Sequence, residues 1–139
     1  MEPEARKGLS KLRYERALEC LDAAKSLLES GNYRSAANRS YYAIFHAMRS
    51  VLALDNVDRR HHSSIISEFR KRYIKTAVFE AELSEIISML FDARTESDYD
   101  DFFIISKTEV VEQAKSAEYF LNKIKVFLDR KYDESAQEL

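Results

Sequence analysis

Apolar side chains recur at intervals of three and four residues along most of the chain, which is the spacing of one face of an α-helix. The pattern predicts five helices, over residues 4–30, 33–54, 60–73, 79–97 and 106–131. The first helix has its apolar positions at Leu12, Ala17, Leu18, Leu21, Ala24, Leu27 and Leu28. Gly31 should end that helix, because glycine adopts the left-handed conformation found at helix C-termini. The fifth helix should begin at Ser106, which has capping-box spacing with Glu109. The tail from Tyr132 to Leu139 has little to bury, and we expect it to fray.

The second helix is informative because its two sides carry different kinds of residue. Its apolar side should face the core and consists of Ala37, Tyr41, Ile44, Phe45, Met48, Val51 and Leu52. Its other side carries Arg39, Tyr42, His46 and Arg49, whereas a solvated helix face is usually made of Glu, Lys and Gln. Arg39 and His46 are two turns apart on one line of the helix, so both can contact one ligand, one partner or one neighbouring helix. This stripe is a candidate functional site, and a packing role is the alternative.

Composition favours an all-α domain that spans residues 1–139. The chain is 45% hydrophobic and 33% charged, which is the balance of one globular domain with a real core. Two glycines and one proline are too few to punctuate an antiparallel sheet, so we expect an antiparallel up-and-down bundle of four to five helices. The single cysteine, Cys20, excludes an internal disulfide and indicates a buried thiol. No apolar run approaches a membrane span and no signal segment is visible, so we expect a cytoplasmic protein.

Charge is distributed unevenly along the chain. Residues 34–75 contain nine Lys and Arg against three acidic residues, whereas residues 80–101 contain eight acidic residues against one Arg. Such opposite charges can be balanced within one bundle or between two copies of it. We favour that interpretation over a phosphate-binding patch.

Motifs typical of several enzyme and metal-site classes are absent from the sequence. There is no Gly-rich phosphate loop, no Cys/His set with zinc spacing and no nucleophile elbow. His61 and His62 are adjacent, so they cannot point the same way from a helix. Asp98 and the acids after it resemble a solvated loop between helices, and Arg94 can form an ion pair with Asp98. We therefore predict no metal and no cofactor.

Three segments carry a family resemblance when they are taken together. They are Asn38-Arg39-x-Tyr41-Tyr42-Ala43-x-Phe45-His46-Ala47, His62-Ser63 and Arg94-x-x-x-Asp98-Tyr99. In order and spacing, over about residues 33–105, they resemble the HEPN domain (higher eukaryotes and prokaryotes nucleotide-binding) in its small stand-alone prokaryotic branch. The resemblance implies a helical bundle that forms a homodimer. It also implies action with a minimal nucleotidyltransferase in a toxin–antitoxin-type pair.

Active ribonucleases of that superfamily resemble one another in an Arg followed, after four to six residues, by a His, and they cut RNA without a metal. Arg94 matches the Arg, but Tyr99 stands five residues later in place of the His. A tyrosine with a reference pKa of about 10 is a poor base at neutral pH. A ribonuclease would therefore need His46 or His62 to lie beside Arg94.

Three hypotheses remain open at this point. The first is that a polar cluster binds a nucleotide, RNA or the partner, using Arg39, Tyr42, His46, His62, Arg94 and Asp98. The second is a metal-independent endoribonuclease, with Arg94, His46 and Tyr99 as its catalytic candidates and His62 as a substitute for His46. The third is a buried polar network that only fixes the packing of the helices.

Overall fold

The computed structural model describes residues 1–99, 101 and 104–137, with only the backbone described for residues 97, 99 and 135–137. Its α-helices are α1 (Pro3–Glu29), α2 (Tyr33–Leu54), α3 (His62–Phe69), α4 (Ala81–Tyr99) and α5 (Lys107–Gln137). No strand is present in the described ranges. The predicted all-α bundle is therefore confirmed. None of the described helices is long and apolar enough to cross a membrane.

α2 is the central helix of the bundle, because it packs against each of the other four. Its bounds agree with the predicted range. Every residue predicted for its apolar side is buried, including Tyr41 and Met48, which are completely inaccessible to solvent. The stripe with the unusual polar residues is consequently held in a fixed orientation relative to the core.

α1 ends at Glu29, and Gly31 terminates it as predicted. The φ angle of Gly31 is +81°, the left-handed conformation that glycine adopts without strain. The amide of Gly31 donates to the Leu28 carbonyl at 3.1 Å, and the amide of Asn32 donates to the Leu27 carbonyl at 2.8 Å. These two bonds satisfy carbonyls that the helix end would leave unpaired. The tight reversal allows α1 and α2 to pack against each other as an antiparallel pair.

The third helix is shorter than predicted. α3 ends at Phe69 and is followed by a π-helical turn, Arg70–Ile74. Tyr73 within this turn is buried, and its hydroxyl donates to Asp55 Oδ2 at 2.5 Å. This contact ties the turn to the C-terminus of α2.

α4 and α5 both end later along the chain than predicted, and α4 also begins two residues later. Asp98 lies inside α4 and not in a solvated loop, where its carboxylate meets Arg94 one turn earlier. α5 begins as predicted, since the amide of Glu109 donates to Ser106 Oγ at 3.2 Å. The chain was expected to fray from Tyr132, but α5 continues to Gln137 and the Tyr132 hydroxyl lies 2.7 Å from Ser10 Oγ. That hydrogen bond holds the C-terminal turns of α5 against α1.

Candidate functional site

The half-buried ring of Tyr42 lies at the centre of the candidate site. The guanidinium carbon of Arg39 is 5.0 Å from the ring centroid, and that of Arg94 is 5.6 Å from it. Both distances are within the range of cation–π attraction. Arg94 Nη2 also donates to the Tyr42 hydroxyl at 3.2 Å. Arg94 therefore reaches from α4 to the polar stripe on α2.

Asp98 holds Arg94 in this position. Arg94 Nε lies 2.8 Å from Asp98 Oδ2, and the two side chains are only 17% and 33% exposed. Exposed ion pairs contribute little because water and salt screen them, whereas this pair is partly shielded. With Nε beside Asp98, the guanidinium is oriented so that Nη2 faces the Tyr42 hydroxyl.

His62 enters the site from the first turn of α3. Its Nδ1 lies 3.0 Å from the hydroxyl of Tyr41, and its ring centroid is 4.1 Å from that of Phe45. Burial raises the pKa of Tyr41 to about 12, so this hydroxyl keeps its proton and can donate it to Nδ1. Burial and the charges of Arg94 and Arg49 lower the pKa of His62. The Tyr41 hydroxyl therefore contributes to the site although the sequence placed this residue only in the core.

His46 lies on the other side of Tyr42 along α2, with a ring-centroid distance of 6.2 Å. Its Nδ1 is buried and has no hydrogen-bond partner among the described residues. Burial and then four guanidinium groups lower its pKa to about 4; in decreasing order of effect, they belong to Arg49, Arg16, Arg39 and Arg13. His46 is therefore a neutral imidazole at pH 7.

A surface cavity of about 450 Å³ adjoins this group of side chains. Its lining residues are Leu27, Arg34, Ser35, Asn38, Arg39 and Asp98. Arg39 donates two hydrogen bonds to Asn38 Oδ1, at 3.1 and 2.7 Å, which fix its guanidinium at the edge of the cavity. The volume is in the range of sites that hold small molecules.

The structure brings the predicted binding residues together. Arg39, His46, His62 and Arg94 each lie within 6.2 Å of the Tyr42 ring, and Asp98 joins them through Arg94. Of the three catalytic candidates, Arg94 and His46 belong to this group. The third, Tyr99, is the last residue of α4, and its side chain lies outside the described part of the structure. In the described ranges, His, Cys, Asp and Glu side chains form no group of three that could hold a metal ion.

Arg13 is a residue near the site that the sequence did not identify. It is only 5% exposed, although it is a charged residue. Its Nη2 lies 3.4 Å from Asp58 Oδ1, and the same oxygen lies 3.5 Å from Arg49 Nη2. One signal was available, because Arg13 falls on the same line of α1 as the buried Ala17 and Cys20. A charged residue at such a position indicates a buried charge with a specific partner.

The family model of the HEPN domain matches residues 10–127, which extend from α1 into α5. The chain belongs to the HEPN domain family. It is 32% identical over 114 residues to a "UPF0332 protein" of Thermotoga maritima, a match that covers 82% of this chain and 86% of the relative. It is 33% identical over 128 residues to "Putative toxin MJ0142" of Methanocaldococcus jannaschii, covering 92% of this chain and 86% of that protein. A second protein of that organism, "Putative toxin MJ0605", is 33% identical over 115 residues, or 80% of this chain and 82% of the relative. The matched HEPN region includes Tyr42, His46 and Arg94, so the candidate site lies inside the family domain.

Proposed function

We propose that this HEPN protein acts with a minimal nucleotidyltransferase in a toxin–antitoxin-type pair, and that it binds a nucleotide or RNA at Tyr42. The observation that carries the proposal is the Tyr42 ring with the guanidinium groups of Arg39 and Arg94 beside it. Nucleobases stack on aromatic rings, and arginine pairs with phosphates, so this combination suits a nucleotide. The names of the two Methanocaldococcus jannaschii relatives support the toxin part of the proposal.

The state of the histidines favours binding over RNA cleavage. Acid–base cleavage needs one group that takes a proton and one that gives a proton near neutral pH. With a pKa of about 4, His46 has no proton to give at pH 7. Burial and the charges of Arg94 and Arg49 also lower the pKa of His62, so less of it is protonated at pH 7 than of an ordinary histidine.

RNA binding can be measured by the fluorescence anisotropy of a labelled single-stranded oligonucleotide at low salt. Replacement of Tyr42 by Leu removes the stacking surface and the hydroxyl that Arg94 contacts. Loss of stacking with one base costs about 1–3 kcal/mol, so we expect affinity to fall about 5- to 150-fold. Tyr119→Leu is a matched control, because Tyr119 lies on α5 and bonds to Glu80, away from the Tyr42 group. Equal weakening by both substitutions, or no binding by the wild type, would contradict the proposal.

The partner is tested separately. We expect the protein to co-purify with a minimal nucleotidyltransferase encoded beside its gene, and we expect this partner to relieve growth inhibition when both are expressed. A neighbouring nucleotidyltransferase that neither binds the protein nor changes growth would remove this part of the proposal.

A homodimer is also part of the proposal, because segments 34–75 and 80–101 have opposite charge and offer complementary surfaces. Light scattering at micromolar concentration should give about twice the chain mass of 16.2 kDa. A mass equal to one chain would refute the dimer and leave the binding measurement unaffected.

A further inference from the structure

A group of four arginines lies where α1 faces the polar stripe of α2. We call it the arginine cluster, and it consists of Arg13, Arg16, Arg39 and Arg49 around His46. Arg13 Nη1 donates to the Arg49 carbonyl at 3.4 Å, and the Arg39 guanidinium lies beside the Cys20 thiol. Along α1, Arg16 lies between Arg13 and Cys20. Along α2, His46 lies between Arg39 and Arg49. Because the helices are antiparallel, Arg16 lies opposite His46.

The cluster has more positive charge than its neighbours neutralise. Arg13 and Arg49 share a single carboxylate, that of Asp58, at 3.4 and 3.5 Å. Within the part of the chain that the structure describes, no ion pair joins Arg16 or Arg39 to an acidic residue. The Asp58 side chain is 65% exposed while that of Arg13 is 7% exposed, so solvent screens the acid more than the buried cation.

Two buried polar atoms in the cluster lack partners. His46 Nδ1 and Arg49 Nε are inaccessible to solvent and form no hydrogen bond with any described residue. Buried polar atoms in folded proteins are normally hydrogen-bonded. These two atoms lie below the surface, but Arg16 is exposed and Arg39 and Arg49 are partly exposed, so an anion can reach the excess positive charge of the cluster.

We propose that the arginine cluster is a phosphate-binding site, and that it holds a phosphate of the nucleotide or RNA whose base stacks on Tyr42. This inference rests on the proposed function. Arg39 connects the two parts, since it lies 5.0 Å from the Tyr42 ring and also belongs to the cluster. Arg16, Arg39 and Arg49 supply the planar guanidinium groups that match phosphate oxygens. Buried Arg13 contributes its charge.

The test uses inorganic pyrophosphate as the probe, with binding measured by calorimetry at constant ionic strength. Arg16→Gln removes an exposed cluster arginine without opening a cavity, so the variant should fold. The loss of a charge-assisted hydrogen bond should weaken pyrophosphate binding at least about 10-fold. Arg130→Gln is the matched control, because Arg130 is an exposed arginine on α5 outside the cluster. This variant should bind pyrophosphate with the same affinity as the wild type. Equal weakening by both variants would show non-specific attraction and overturn the site.

A second readout reports on the place of binding. A phosphate in the cluster puts negative charge beside His46, so the pKa of His46 should rise when pyrophosphate binds. The charged groups that face this imidazole are Arg13 and Arg16 from α1 and Arg39 and Arg49 from α2. NMR titration of the His46 ring should show the increase. An unchanged His46 titration with pyrophosphate bound would place the ligand elsewhere and refute the site.

Competition identifies the source of the phosphate. ATP and a hydroxyl-ended RNA oligonucleotide are each titrated against bound pyrophosphate. Displacement by ATP alone assigns the cluster to a nucleotide, and displacement by the RNA alone assigns it to an RNA backbone. RNA that binds through Tyr42 while pyrophosphate does not bind would refute the phosphate site and leave the proposed function standing. Pyrophosphate that binds in the cluster while neither nucleotide nor RNA displaces it would refute the shared ligand.

Discussion

Lowering the pH from 7.5 to 5.0 should destabilise the protein through His46. The pKa of this residue is about 4 in the folded chain and about 6.5 when the chain is unfolded. Between these values the unfolded chain binds more protons, so the free energy of unfolding falls as the pH falls. The contribution of neutral His46 is complete above about pH 6.5 and is progressively lost toward pH 4. The physical cause is burial together with the guanidinium groups around the ring, which a protonated imidazole would have to join.

The size of the effect follows from the two pKa values. Integration of proton uptake from pH 7.5 to 5.0 gives a loss of about 2 kcal/mol for a histidine with these values. His46 is half-buried and near solvent, so screening reduces the effect of the neighbouring charges. We therefore expect a loss of about 1 kcal/mol from this residue.

Urea unfolding at the two pH values measures this loss. His46→Gln should reduce the pH dependence by about 1 kcal/mol relative to the wild type, because glutamine does not titrate. His61→Gln is the control for replacing a histidine at an exposed position. An unaltered pH dependence in His46→Gln, or an NMR-measured pKa of His46 near 6.5, would refute the reasoning about its surroundings.

Two further predictions concern the helix end and the catalytic alternative. Gly31→Ala should lower the free energy of unfolding by about 1 kcal/mol in thermal or urea denaturation, because φ at this position is +81°; an unchanged stability would contradict the left-handed conformation. Tyr99→His restores the Arg-to-His spacing of the ribonucleases, so on the enzyme hypothesis it should create RNA cleavage that persists in EDTA and leaves a 2′,3′-cyclic phosphate. If wild type and variant both leave RNA intact while RNA still binds, the enzyme hypothesis fails.

The sequence predicted α2 well because its local pattern and its tertiary surroundings agree. One side of this helix is apolar without interruption, and all of that side is buried. Elsewhere the ends of elements depend on contacts with distant residues. Tyr73 bonds to Asp55 within the π-helical turn after α3, and Tyr132 bonds to Ser10 where fraying was expected. Periodicity contains no information about such partners, so these ends were misplaced.

The residues of the candidate site also divide into those that helical spacing predicts and those that depend on distant partners. Helical spacing alone puts Arg39, Tyr42 and His46 on one side of α2, and the family resemblance added Arg94. Arg13 was missed because the α1 pattern was judged from its leucines. Leu12 and Leu18 have suitable spacing but are 47% and 42% exposed, whereas Arg13 is buried against α2. Helical spacing places Arg13 on the buried line of α1, but it does not identify the carboxylate partner, which comes from the connection between α2 and α3.

The positive charge around His46 argues against the ribonuclease hypothesis and supports the hypothesis that the protein binds a nucleotide or RNA. The guanidinium groups keep the imidazole neutral, which deprives a ribonuclease of a proton donor at pH 7. The same groups create the excess positive charge that attracts a phosphate. Phosphate binding and protonation of His46 must then be coupled, because each makes the other more favourable and the coupling free energy is equal in both directions. The neutral histidine of the free protein is thus better suited to respond to a bound anion than to start a reaction.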